Sequence, residues 1–307
     1  MSISRISRRY ALGLAVSLGV GLSTGALGHS EVPENNSGPL CGASFAAELP
    51  GETYQQALTR VDGYYGGLES VRVFYPGLPR MWPGKLDTGG RPMIVSFKAD
   101  PVAVLAGTHD DFLRTWFQTA PSDQEIFWTY FHEPENDVDA GAFTAEQFRR
   151  AWIHIASLAR PAGHPRLHAT VILMGWSVDP ASGRDWLDYY PGREHVDVLG
   201  WDLYNSSWRN GRYKDPEELF TRVVDTSRTA NIPFGIAETG SPLVAGDDGR
   251  LRADWLRALG THLTQSGAVF IEYFDNDRRS NGGPDYRLRD PFGMAAWREF
   301  CDVNARR

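Results

Sequence analysis

Ile126-Phe127-Trp128-Thr129-Tyr130-Phe131-His132-Glu133-Pro134-Glu135 sets the reading of this chain. The first six residues form an apolar, aromatic run with the look of a buried strand, and it ends abruptly in His-Glu-Pro-Glu. A carboxylate at the mouth of a buried strand is costly unless it is solvated, paired or functional. A second stretch repeats the arrangement: Pro233-Phe234-Gly235-Ile236-Ala237 runs straight into Glu238-Thr239-Gly240. Two strands that each end in Glu predict a fold that brings Glu133 and Glu238 together.

Six further runs of strand character flank these two: Leu40–Phe45, Ser70–Tyr75, Arg91–Phe97, Leu167–Met174, Val196–Trp201 and Ala268–Phe274. Between most of them lie helical patterns. Tyr54, Leu58, Val61 and Tyr65 fall at helical spacing, as do Phe148, Trp152, Ile155 and Leu158 behind a Thr144-Ala-Glu-Gln147 capping box. Asp215-Pro216 opens another helix, Trp255, Leu259 and Leu263 line a further one, and Met294–Val303 is the last. The segments after the second and fifth strands carry no clear helical signal and read as long loops. Eight strands alternating with helices predict an α/β fold, a single (β/α)8 TIM barrel. The competing doubly wound sheet would want a Gly-rich phosphate turn after an early strand, and none occurs.

The chain has 307 residues, 42% of them hydrophobic and 12% aromatic, with ten Trp, enough for one large core. A net charge of −7 argues against a nucleic-acid partner, which needs a basic footprint. Residues 1–28 read as an export signal: Arg8-Arg9 supply a basic start in the style of a twin-arginine signal, Ala11–Leu22 an apolar stretch, and Ala26-Leu27-Gly28 a small-residue cleavage site. Residues 29–38 read as a flexible lead-in and 39–307 as the catalytic domain, with no membrane span once the signal is removed. The expected product is a secreted, extracellular monomer. The two cysteines, Cys41 and Cys301, lie near the two ends of that domain. Export favours their pairing into a disulfide that ties the termini together, the alternative being two buried free thiols.

In such a barrel, sites lie at the carboxyl ends of the strands. Glu133 and Glu238 belong there, with Asp202 and Tyr204 after the sixth strand, Trp176 after the fifth, and Tyr273 and Phe274 at the end of the eighth. Trp201 stands beside Asp202. Carboxylates that bind hydroxyls, surrounded by aromatic planes that stack on C–H faces, suit a sugar. His132 has no second His at ligand spacing, and no calcium-loop pattern follows the Asp residues, so no metal and no cofactor is expected. A serine nucleophile elbow is also missing.

The chain resembles the retaining (β/α)8 glycoside hydrolases, and within them glycoside hydrolase family 26, best known for β-mannanases. His132-Glu133, Gly200-Trp201-Asp202-Leu203-Tyr204 and Ile236-Ala237-Glu238-Thr239-Gly240 carry the resemblance. It implies that Glu133 is the general acid/base, Glu238 the nucleophile, His132 an orienting group and Tyr204 a hydrogen-bond donor to Glu238. It also implies an endo-acting enzyme on β-mannan or a related β-glucan or xylan, as polysaccharide or oligosaccharide. The chain departs from the family at Pro134-Glu135-Asn136, where mannanases usually continue Met-Asn-Gly, and at Phe274-Asp275, where they have Trp-Arg. Those departures keep two other readings open: a carbohydrate-binding barrel without catalysis, and a hydrolase of a different cell-envelope glycan.

Overall fold

The computed structural model describes residues 38–305; the export signal and most of the lead-in lie outside the described residues. Eight parallel strands close on themselves in sequence order. They are β1 (Leu40–Phe45), β2 (Ser70–Tyr75), β3 (Met93–Phe97), β4 (Ile126–Tyr130), β5 (Leu167–Met174), β6 (Val198–Tyr204), β7 (Phe234–Gly240) and β8 (Phe270–Asp275). β8 pairs back to β1 from Leu40↔Phe270 to Phe45↔Asp275, which seals the ring and excludes the open sheet. The helices are α1 (Tyr54–Tyr65), α2 (Pro101–Leu105), α3 (Asp110–Gln118), α4 (Glu135–Asp139), α5 (Ala145–Ala159), α6 (Pro216–Ala230), α7 (Arg250–Ser266) and α8 (Pro291–Asn304).

Local chemistry sets the helix starts. Thr53 and Gln56 form a reciprocal capping box for α1, and Thr144 with Gln147 does the same for α5. Such a cap satisfies backbone N–H groups that the first turn leaves without partners. Asp215 accepts from the Glu217 N–H while Pro216 occupies the first turn of α6. The segment between β2 and β3 holds no helix, and the segment between β5 and β6 holds only short 3-10 turns, as the sequence indicates. Residues 100–119 hold α2 and α3, parted at Gly107, whose φ of 73° an L side chain rarely adopts.

Two apolar layers hold the barrel. Inside it, Leu40, Ile94, Phe127, Ile172, Val198, Ala237, Val269 and Phe270 pack on one another. Outside it, Trp116, Trp128, Trp152, Trp201 and Trp297 fill the space between strands and helices, all essentially buried. Each such side chain contributes on the order of 1.5–3 kcal/mol by leaving water. Cys41 on β1 is bonded to Cys301 on α8, with Cα atoms 5.1 Å apart and a sequence separation of 260. The disulfide thus fastens the last helix to the first strand.

Candidate active site

The carboxyl end of β4 is where the chain bends hardest. Strand alternation turns Phe127 into the barrel and Trp128 outward, where it stacks on Trp152 at 5.3 Å. Trp128 therefore packs away from the site. Beyond the strand, Phe131 and Glu133 both take positive φ, 52° and 48°. A left-handed conformation costs a non-glycine residue about 1–2 kcal/mol. Two backbone bonds hold the turn against that cost, Phe131 N–H to the Phe97 carbonyl at 2.8 Å and Glu133 N–H to the Ile172 carbonyl at 3.0 Å. The bend carries the Glu133 carboxyl over the barrel mouth, with His132 half-buried beside it against Phe74, ring centres 5.3 Å apart.

On the opposite side, β7 contains one residue more than its neighbours. Trp201 pairs with Ile236, but the next residue, Asp202, pairs with Glu238, and β8 shows the matching shift between Ile236 and Thr239. Without that bulge Ala237 and Glu238 would point to opposite faces, and Ala237 already lies in the interior cluster. The extra residue turns Glu238 inward beside Asp202, a known use of bulges near sites. Glu238 is 6% exposed. The Tyr204 hydroxyl donates to its Oε2, and an Arg72 nitrogen lies 3.5 Å from its Oε1. Arg72 comes from the middle of β2, is fully buried, donates to Ser96 Oγ and lies with its guanidinium 4.2 Å from the Phe74 ring centre.

Charge separates the two carboxyls. Burial, the nearby Glu238 and then Glu135 push Glu133 up to about 8. Burial raises Glu238 too, but Arg72, the Tyr204 hydroxyl, Arg278 and Lys98 pull it back. Asp202 is held well above the usual range by burial and by Glu238 and Glu133, and neither of its oxygens has a hydrogen-bond partner among the described residues. So many crowded carboxyls cannot all ionise together. Glu238 is the one with both a guanidinium and a hydroxyl to stabilise its charge, so it ionises before Glu133. Burial, Arg72 and Lys98 keep the His132 imidazole neutral, and burial with Glu238 keeps the Tyr204 phenol protonated.

The other expected site residues divide cleanly. Phe274 lies edge-on to Tyr204, ring centres 5.6 Å apart, and Trp176 projects from the loop after β5 with 49% of its surface exposed. Trp201 and Tyr273 do not reach the site. Trp201 points outward and donates to Ser227 Oγ on α6, while Tyr273 packs on Trp297 of α8 and donates to the Tyr286 carbonyl. Both sit one residue out of phase with the inward-facing Asp202, Tyr204 and Phe274.

Sequence reasoning missed Arg72, Glu135 and Tyr286. A lone Arg inside the apolar run Ser70–Tyr75 was the available signal for the first. Glu135 is fully buried and accepts from Met174 N–H and Ser177 Oγ, both at 2.8 Å, tying the β5 loop to the Glu133 turn. Tyr286 arrives from a distant loop to meet Tyr204 at 5.0 Å, which no local pattern announces. No cluster of His, Cys, Asp or Glu suited to hold a metal occurs among the described residues, and none of their helices is long and apolar enough to cross a membrane.

No protein-family model matches the chain. Endoglucanase H of Acetivibrio thermocellus is 27% identical over 192 residues, which cover 57% of this chain and 20% of that protein. The chain thus spans one fifth of the length of that curated relative. Among solved structures, an exo-β-1,4-mannosidase from Opitutaceae bacterium strain TAV5 superposes with a TM-score of 0.62 at 15% identity, covering 90% of this chain and 62% of that one. A GH26 β-mannanase from Bacteroides ovatus superposes with a TM-score of 0.56 at 13% identity, covering 87% and 89%. At such identities these structures share the barrel fold with this chain.

Proposed function

We propose that the protein is a retaining β-glycoside hydrolase with Glu238 as nucleophile and Glu133 as general acid/base. One observation carries this reading: the half-buried carboxyl of Glu133 and the buried one of Glu238 lie near each other at the mouth of the barrel, and their partners separate their protonation. Glu133 has no directly bonded cation among the described residues and is pushed to about 8, whereas Glu238 has Arg72 and Tyr204. That division matches double displacement. Glu238 attacks the anomeric carbon as the glycosidic C–O bond breaks, and Glu133 gives its proton to the departing oxygen. The Glu133 carboxylate then takes a proton from water, whose oxygen attacks the same carbon and releases Glu238. Neutral His132 and the inward Asp202 face the same space and are suited to bind sugar hydroxyls.

The fold shared with GH26 mannanases and the match to an endoglucanase support a β-glycan as substrate, a mannan, glucan or xylan cut internally. The disulfide and the leader sequence support action outside the cytoplasm, where oxidised cysteines persist. Reducing-end release by wild type and Glu238→Ala across mannan, mixed-linkage glucan, xylan and arabinan tests the proposal. The expected result is turnover of one polymer that vanishes in the variant. A Glu238→Ala protein as active as wild type would remove Glu238 from the chemistry, and binding without turnover would leave a carbohydrate-binding barrel.

A further inference from the structure

The loop that follows β8 is a rigid hairpin. Asp277 and Asp285 form an antiparallel bridge, Arg278 N–H donates to the Pro284 carbonyl, and Tyr286 N–H donates to the Asn276 carbonyl, both at 3.1 Å. Ion pairs lock it in place. Arg279 pairs with Asp277, Arg287 with Asp277, Asp285 and Glu48, and Arg289 with Asp275 and Glu48. These carboxylates are occupied by the three neighbouring arginines. Arg278 alone in this loop has no carboxylate partner among the described residues.

Its side chain is exposed, and the tight hairpin sets where its Cβ stands. An added Cβ at Gly283 would lie 2.7 Å from the Arg278 Cβ, so only glycine allows the two arms of the hairpin to approach this closely. The guanidinium stands 6.0 Å from the centre of the Phe274 ring. Phe274 in turn meets Tyr286 at 5.7 Å and Tyr204, which holds Glu238. On the loop after β6, Arg209 lies over Trp208 at 4.9 Å and also has no carboxylate partner among the described residues. Burial raises the Tyr286 hydroxyl, and the charges of Arg278 and Arg209 both oppose that rise. A protein of net charge −7 repels anions at long range, so an unpaired arginine beside Phe274 is a local reversal of sign.

We propose that this side of the cleft accepts an acidic glycan, one sugar ring lying against Tyr286 and Phe274 while its carboxylate is received by Arg278. The guanidinium fork suits a planar carboxylate. This assignment rests on the hydrolase reading for the direction of the cleft, and it names the class of sugar that the reading leaves open: a β-glycan bearing uronate residues.

Binding, read without turnover, tests it. Wild type, Arg278→Ala and Arg278→Lys are titrated with a soluble neutral β-1,4-glucan, with the same polymer oxidised at C6 to uronate, and with its sulfated derivative. Wild type is expected to bind the oxidised polymer about tenfold tighter than its parent, as one charged hydrogen-bonded contact supplies. That preference should fade with added salt, collapse in Arg278→Ala and survive in part in Arg278→Lys. Equal binding of neutral and oxidised polymers by wild type overturns the proposal, as does a preference that Arg278→Ala leaves intact. Sulfated polymer bound as tightly as uronate would also overturn it, because the site would then read charge alone. A protein that prefers the oxidised polymer and cleaves nothing keeps this inference and sinks the hydrolase reading. Cleavage of neutral glycan with no acidic preference does the reverse.

Discussion

Replacing Arg72 by Gln should shift the acid limb of the pH–activity profile toward higher pH. In the proposed mechanism Glu238 attacks as a carboxylate, so whatever lowers its proton affinity sets how acidic the medium can become before turnover fails. The guanidinium stands 3.5 Å from the carboxylate, and at an effective dielectric near 20 that pair is worth about 5 kcal/mol. Gln keeps a neutral donor, the Tyr204 hydroxyl stays in place, and the site relaxes, so a fraction of that value survives as a shift. An upward move of about one to two pH units is the expected size. The sign follows from charge: without the cation, Glu238 holds its proton more tightly. The assay is kcat/KM against pH for wild type, Arg72→Gln and Arg72→Lys on the polymer identified by reducing-end release. Thermal melts of all three show that they are folded. Arg72→Lys keeps a charge and should lie nearer wild type. An acid limb that stays within about 0.3 pH unit in Arg72→Gln, with kcat reduced, would refute the electrostatic role and leave Arg72 as a packing residue.

Two further outcomes follow from residues away from the chemistry. Reducing the Cys41–Cys301 bond, or replacing both cysteines by Ser, should cost about 2–5 kcal/mol and lower Tm by several degrees, since the bridge closes nearly the whole chain into a loop; an unchanged Tm with both thiols shown free by mass spectrometry would refute this. Glu272 is fully buried inside the barrel, accepts from Ser70 Oγ and is pushed by burial up to about 8. The folded state therefore keeps a proton that the unfolded chain loses from about pH 4.5 upward, and stability should fall by up to about 1.4 kcal/mol per pH unit until the folded group ionises near 8. Glu272→Gln should flatten that fall, and melts across pH 5 to 8 with the same slope in both proteins would contradict it.

Much of the barrel is legible because burial on both faces leaves a blunt mark. β1 to β8 are apolar runs with few interruptions, as strands covered inside and out must be. The capping box at Thr144 marks a helix start, and the two Glu residues at the ends of the fourth and seventh runs identify the site's strands. The same blunt mark hides orientation. A strand that is apolar on both faces carries little alternation to tell inward from outward, so Trp201 and Tyr273 read as well as Tyr204 and Phe274. The true phase places the first two against α6 and α8.

The sequence by itself therefore determined the fold class and the strands that bear Glu133 and Glu238, because each depends on residue type and order along the chain; that Cys41 and Cys301 join is shown by the structure. Tertiary structure alone decided which side chains share the cleft. The extra residue in β7 turns Glu238 inward, a register fact set by pairing with β6 and β8. Arg72 gains its meaning only because β2 lies within reach of β7 across the barrel interior. Tyr286 and Arg278 reach Phe274 because ion pairs to residues as distant as Glu48 fasten their hairpin. Contacts between residues far apart in the chain are fixed by closure of the whole ring, and no local stretch carries that information.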